Sequence, residues 1–277
     1  MKQILVMMVA VVLVGCSNET PEAYRAAEVE AQVASKPMPE PDPVSSADKK
    51  LIADPIVEKA IRGFVKSESE LTEADLARIG GLYLAYPQIT DEGLKDVAKL
   101  QNLGRLALSS TQITDAGLKD VAKLQQLTWL ALSSTQITDA GLKEVVKLKQ
   151  LTMLDLEDTP ITDTGLREVA KLQKLESLSL GRTQITDAGL KDVAKLQKLE
   201  QLGLGDTQIS DAGLKEVAKL QKLELLYLGR TQITDANLKE VTKLKKLIFL
   251  HLGGTQITEA GVAELKKALP NCEIEGP

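Results

Sequence analysis

The chain repeats itself every 24 residues from its second third onward, and no other feature constrains its fold as tightly. Seven full copies begin at Leu103, Leu127, Leu151, Leu175, Leu199, Leu223 and Leu247. The first of them reads LGRLALSSTQITDAGLKDVAKLQQ. In that copy Leu106 and Leu108 alternate with small polar residues, the period-2 pattern of a strand with one buried face. Thr111 ends the strand at a turn. Thr114 then predicts a helix N-cap, and Asp115 puts negative charge in the first turn, where the helix dipole favours it. Leu118, Val121 and Leu124 follow three residues apart and mark the apolar face of a short helix. Each copy is therefore strand, turn, helix and return. One copy alone leaves both its strand leucines and its helix face in water, so the copies must stack to close a core.

This pattern, LxxLxLxxT followed by ITDAGL, resembles the leucine-rich repeat family, with threonine where the more familiar form has asparagine. The TDAGL segment is most similar to the cysteine-containing subclass of that family. The resemblance covers Ile79 to the C-terminus. It implies an α/β fold: a right-handed solenoid with a parallel β-sheet on its concave face and short helices on its convex face. Composition agrees. Aromatic residues are only 3% of a chain that is 43% hydrophobic, so the interior must be filled by regularly stacked aliphatics rather than by aromatic bulk. The ninth position is threonine in all seven copies (Thr111, Thr135, Thr159, Thr183, Thr207, Thr231 and Thr255). A row of hydroxyls at the turns is expected to satisfy backbone groups that stacking would leave unpaired.

Five segments follow. Residues 1–15 read as an export signal: Lys2, then an uncharged run from Ile4 to Val14 that is shorter than the roughly 20 residues a bilayer crossing takes. Leu13-Val14-Gly15-Cys16 resembles the bacterial lipobox, which implies lipidation of Cys16 and attachment to the envelope membrane. Ser17 resembles the residue that leads to the outer membrane where there is one. Residues 16–50 are rich in proline and glutamate and poor in large apolar residues, the composition of a flexible tether. Residues 51–78 are expected to cap the N-terminal edge. Asp54-Pro55 opens a helix with a stripe of Ile56, Val57, Ala60, Ile61 and Phe64, and Leu71–Leu76 echoes half a repeat. Residues 79–270 are the repeats, and 271–277 the C-terminal cap, in which Pro270-Asn271 stops the last helix and Ile274 replaces a strand leucine.

If the leucines face inward, positions 2, 3, 5, 7 and 8 of each copy face out from the sheet, and there the copies diverge. Every aromatic residue of the repeat region stands at such a position. One group is early: Tyr83, Tyr86 and Trp129, with Arg105 and Met153. The other is late: Leu225, Tyr227, Phe249 and His251. Exposed aromatics on a rigid sheet are anchors for a partner, so these nine are the candidate binding residues for a protein or peptide. At position 8, Asp158, Arg182, Asp206 and Arg230 alternate in sign and read as a self-neutralising ladder. Asp155, Glu157 and Asp158 cluster, but the neighbouring copies offer serine, glycine and Arg182 rather than the six to eight oxygens of a calcium site. Glu176, Glu200 and Glu224 each stand two residues after a lysine, as on a solvated surface.

Other function classes find little support. A net charge of −5 is wrong for a nucleic-acid binder. No serine has a His/Asp context, His251 is the only imidazole, and no phosphate-cradling glycine loop precedes a helix, so no catalytic residue is expected. Two cysteines and one histidine make neither a disulfide framework nor a metal site, and Cys272 reads as a packing residue of the cap. The sequence thus predicts a monomeric, cofactor-free binding protein. The alternative is an envelope spacer without a specific ligand, which the near-identity of the copies suggests.

Overall fold

In a computed structural model of the chain, residues 50–66 and 69–276 are described; the expected leader, Cys16 and the tether up to residue 49 lie outside them. Nine three-residue strands form one parallel sheet in strict chain order: β1 Gly81–Tyr83, β2 Arg105–Ala107, β3 Trp129–Ala131, β4 Met153–Asp155, β5 Ser177–Ser179, β6 Gln201–Gly203, β7 Leu225–Tyr227, β8 Phe249–His251 and β9 Glu273–Glu275. The register places like on like, Leu106 beside Leu130 beside Leu154 and onward to Leu250 beside Ile274. This is the solenoid that the 24-residue period predicts.

Among the described residues two cap helices precede the repeats, α1 Pro55–Val65 and α2 Glu73–Ala77, and one short helix follows each of β1 to β8. These are α3 Asp91–Val97, α4 Leu118–Val121, α5 Asp139–Val145, α6 Asp163–Val169, α7 Asp187–Val193, α8 Leu214–Val217, α9 Leu238–Val241 and α10 Glu259–Ala268. In the third copy Leu151, Leu154, Leu156, Ile161, Leu166, Val169 and Leu172 are all buried, and all the other copies but the last, where Val262 is partly buried, do the same. Burial of each such side chain is worth about 1.5–3 kcal/mol, which is why aliphatics alone suffice. The ninth-position threonines fulfil the expectation: each donates its hydroxyl to the carbonyl of the leucine three residues before it, at 2.6 Å for Thr111 and 2.7 Å for Thr255.

A second contact locks each copy to the next. Asp91 accepts the backbone N–H of Thr114 on one oxygen (2.8 Å) and its hydroxyl on the other (2.6 Å). The same bidentate bond joins Asp115 to Thr138, Asp139 to Thr162, Asp163 to Thr186, Asp187 to Ser210, Asp211 to Thr234 and Asp235 to Thr258. The aspartate in TDAGL therefore does more than complement a helix dipole. It also explains the glycine: a Cβ on Gly117, Gly141, Gly165, Gly189, Gly213 or Gly261 would overlap Oδ1 of the aspartate in the preceding copy. Where Asn237 replaces that glycine, the helix opens with a 3-10 turn over Asp235–Asn237. In the seventh full copy Glu259 stands in place of aspartate.

The N-terminal edge is closed by a variant of the same device. Asp54 caps α1 by accepting from Ile56 (2.8 Å) and Val57 (2.9 Å), and its other oxygen faces Gly93 as the repeat aspartates face their glycines. Asp96, buried, accepts the N–H groups of Ala53 and Asp54 at 2.7 Å each. Lys99 joins Asp96 (2.6 Å) to the Leu51 carbonyl (2.7 Å). Burial opposes ionisation of Asp96, yet the Lys99 ammonium and the two N–H donors prevail and hold its carboxyl below the usual range. The α1 stripe differs from expectation in one residue. Val57 and Ile61 are buried, but Phe64 is 54% exposed and Val65 packs on the core instead, because α1 meets the repeats along a narrower face than the five residues span. Thr72 and Asp75 form a capping box on α2. At the far end, α10 stops at Ala268 and β9 carries Ile274 into the leucine row.

The junction yields a prediction. Asp163→Ala leaves the part-buried N–H and hydroxyl of Thr186 without their acceptor and should cost about 1–3 kcal/mol. Gly189→Ala should cost at least about 1 kcal/mol through its overlap with Asp163. The double variant should be more stable than the sum of the two losses, because removing the carboxylate makes room for the methyl. Strict additivity in chemical denaturation would show that the two residues do not act on one another.

Candidate functional site

The nine candidate residues all lie on or beside the face of the sheet that carries no helix. The strands that hold them differ in which side chains they leave open. Third-position residues Arg105, Trp129, Met153, Leu225 and Phe249 are exposed or half-buried. The fifth position departs from expectation: Ala107, Ala131, Asp155 and Ser179 are buried, since the side chains on neighbouring strands cover the last residue of so short a strand. The larger Tyr227 and His251, and Tyr83 and Glu275 on the two edge strands, rise out of that row.

The structure brings each group together around one aromatic pair. Tyr83 and Trp129, two strands apart, meet across Ala107 with ring centres 6.0 Å apart and planes tilted by 48°. Arg105, Trp129 and Met153 are register neighbours beside them. Tyr86, 48% exposed, lies beyond the end of β1. At the other end Tyr227 and Phe249 meet at 5.4 Å and 47°, with Leu225 beside Phe249 and His251 beside Tyr227 in register. Burial, with the nearby Glu275, pushes the Tyr227 hydroxyl above its usual range. The His251 ring covers Gly229 and Gly253, where no side chain would fit, and its Nε2 is 3.9 Å from Glu275. Such tilted ring pairs contribute about 0.5–1.5 kcal/mol each beyond burial. They stiffen two apolar surfaces without filling the core, which leucine fills.

Between the pairs the face is polar. At position 8, Ser110, Ser134, Asp158, Arg182, Asp206 and Arg230 all have φ between 53° and 58°, a left-handed turn that costs a non-glycine residue about 1–2 kcal/mol. Each gives its N–H to the next copy, as Asp158 does to Gly181 (2.9 Å). No sequence signal marked this turn, because only the last copy has glycine there, Gly254. The charge ladder forms in its second half: Asp206 lies 3.8 Å from Arg182 and 3.7 Å from Arg230, whereas Asp158 takes the Ser134 hydroxyl at 2.8 Å. Lys174 reaches Gln150 (2.6 Å).

Asp155 and Glu157 are less well balanced, with Arg182 offsetting only part of the burial and repulsion that act on Glu157. Asp155 is 6% exposed. Its Oδ1 accepts the Glu157 N–H at 3.0 Å, and its Oδ2 is buried without a hydrogen-bond partner. The Ser133 hydroxyl lies 2.8 Å from that of Ser109 and also favours the charged Asp155 carboxylate. Burial raises the Asp155 carboxyl. Burial and the Asp155 charge push Glu157 up to about 6. On β6, Gln201 is 5% exposed and its Nε2 likewise lacks a partner. A buried polar group left unpaired costs about 1–3 kcal/mol, so the centre of this face is destabilised relative to its surroundings. The sequence showed the acids as a cluster but not that one of them is buried. Gln201 had no signal at all, since burial at a third position depends on its neighbours. Among the described residues no three Asp, Glu, His or Cys side chains are placed to hold a metal ion.

A leucine-rich repeat family model matches residues 99–122, 123–146, 149–170, 171–194 and 195–218. The crystal structure of internalin C2 from Listeria monocytogenes is 30% identical, with a TM-score of 0.64, over 81% of this chain and 93% of that one. The chain belongs to the leucine-rich repeat family. Another Listeria monocytogenes internalin, InlF, is 18% identical over 80% of this chain and 94% of its own, with a TM-score of 0.39. A leucine-rich repeat protein of Leptospira interrogans is 23% identical over 69% and 58%, with a TM-score of 0.44. No curated protein sequence matches the chain. The fold of this leucine-rich repeat chain is typical of protein–protein interaction. No described helix is long and apolar enough to cross a membrane, and the thiol of Cys272, pushed up to about 11 by burial and the adjacent Glu273, stays protonated in the cap.

Because the folded chain holds the Glu157 proton more tightly than the unfolded chain, with its ordinary value of 4.5, the contribution of this residue is greatest below that pH and is lost as pH rises through about 6. Glu157→Gln should therefore melt higher than the parent at pH 7.5, by up to about 1 kcal/mol after screening of a partly solvated group. The difference should vanish by pH 4.5. A gap that persists at low pH would assign the effect to packing rather than charge.

Proposed function

We propose that this chain is a non-catalytic, lipid-anchored protein of the bacterial envelope that binds a protein or peptide on the open face of its sheet. One observation carries the reading: four of the five aromatic side chains of the repeat region gather on that face in two pairs, over a core complete without them. Large rigid rings left half in water on a surface that does not bend are what a partner desolvates to gain affinity. The family supports binding rather than catalysis, and the described residues offer no nucleophile–base pair around the one imidazole. Anchoring rests on Leu13-Val14-Gly15-Cys16, with the proline-rich residues up to about 50 as the spacer that gives the repeats reach from the membrane.

Crosslinking in intact envelopes, read by mass spectrometry, identifies the partner. Trp129→Ala and Tyr227→Ala should each weaken its binding at least tenfold, with the melting temperature lowered little because neither ring is core. Unchanged binding in both would leave the chain as a spacer. Cys16→Ser should move the protein from the membrane pellet to the soluble fraction; retention in the pellet would remove the anchor.

A further inference from the structure

The two aromatic groups of the open face stand in opposite electrostatic surroundings. On β1 to β3 and the turns that follow them, Arg105 is the one charged residue at the outward positions 2, 3, 5, 7 and 8. From β4 onward the same positions hold seven acids, from Asp155 to Glu224, against Arg182 and Arg230. Those two arginines lie by Asp206, at 3.8 and 3.7 Å. Arg105 differs from both: no described residue makes a hydrogen bond or ion pair with its guanidinium. The first acid of the face, Asp155, is two strands away and buried. Arg105 itself is exposed. It stands in register between Gly81 and Trp129, with Tyr83, 59% exposed, on the strand before it. The side towards Gly81 is bare. A Cβ on Gly81 would meet Arg105 alone, at 3.7 Å, and one on Gly80 would meet nothing. An arginine–carboxylate pair in open water gains little. A partner that covers the rings of Tyr83 and Trp129 also excludes water from the guanidinium between them, and there a two-point bond to a carboxylate gains most.

We propose that the early part of the open face recognises an acidic side chain of an extended peptide, aspartate or glutamate, through Arg105. Apolar side chains two residues before and after that acid then sit on Tyr83 and on Trp129 with Met153. This rests on the reading of the open face as a peptide-binding surface and adds what its first strands select. The spacing follows from two repeats. Neighbouring strands lie about 4.8 Å apart, and side chains on one side of an extended segment about 6.6 Å apart. A segment laid across the strands with its acid over β2 puts its next apolar side chains over β1 and between β3 and β4. Aromatic rings flank Arg105 on both sides, which suits a chain passing through rather than a chain end. Around the late pair the charge is reversed. Glu273 lies beside Phe249 and Glu275 beside His251 in register, so an acid is repelled there. A second copy of the chain is a poorer occupant, since each carries a net charge of −5.

The test is selection of nine-residue peptides from a random library on the purified full-length chain, followed by fluorescence anisotropy of those enriched. They should share an aspartate or glutamate with an apolar residue two positions to either side. Changing that acid to its amide should weaken binding at least tenfold, whereas amidating the peptide C-terminus should not. Arg105→Gln should remove the preference for acid over amide, and Arg105→Glu should replace it by a preference for lysine. Both variants should melt with the parent, because the fold makes no bond to that guanidinium, so a loss of binding reports recognition rather than folding. Peptides that lack an acid, or an acid preference that survives in Arg105→Gln, would overturn the proposal while leaving the face as a binding surface. Dependence on a free C-terminus, or self-association of the chain that Arg105→Gln abolishes, would overturn it too. Failure to enrich any peptide, or the same peptides from a Trp129→Ala/Tyr227→Ala chain, would overturn that underlying reading as well.

Discussion

Everything in this molecule depends on the contact between one copy and the next. A single strand–turn–helix unit has apolar groups on both its elements and no way to cover them, so its stability resides at the junctions. The leucine rows supply most of the free energy but little direction, since apolar contact tolerates sliding. Direction comes from the bidentate bond between an aspartate and the threonine of the next copy, with a glycine packed against the same carboxylate. One N–H, one hydroxyl and two carboxylate oxygens fix distance and orientation together, and the absent Cβ lets the helices approach. Seven repetitions of that geometry fix the register of the sheet without long strands.

The ends show the same rule at its limit. At the N-terminus Asp54 faces Gly93 as a repeat aspartate would, and the buried, ionised Asp96 ties the incoming backbone down. In the seventh copy glutamate, Glu259, stands where the other copies have the aspartate, and β9 carries Ile274 into the leucine row. A stack that is regular in its interior must change its chemistry at its edges, because the edge is where leucines and strand backbone meet water.

A scaffold specified so fully from behind leaves its open face free to carry groups that do not stabilise it. Tyr83, Trp129, Tyr227 and Phe249 add nothing the core lacks. Asp155 and Glu157 work against folding at neutral pH, one buried with a single oxygen satisfied and the other raised to about 6. Such costs are concentrated between the two aromatic pairs rather than scattered over the solenoid, and this is the pattern expected where a surface is shaped for a partner.

The sequence by itself determined the architecture: the period, the leucine alternation and the ITDAGL turn dictate a stack of strand–helix units with a parallel sheet, and the hydroxyl ladder at Thr111 and its counterparts was legible too. It also placed the aromatic residues on the open face, because leucine already occupied every inward position. What it did not reveal depends on groups 23 or 24 residues apart meeting in space. The aspartate of TDAGL gave a local reason for being there, its helix dipole, and so hid its partner in the next copy. Phe64 fitted the period of α1 but not the width of the face that α1 meets. The left-handed turn at position 8 is occupied by serine, aspartate and arginine, and no residue type announced it. Only the tertiary structure decided that Asp155 and Gln201 are buried while Trp129 is not, since exposure in so short a strand is set by the side chains on the strands beside it.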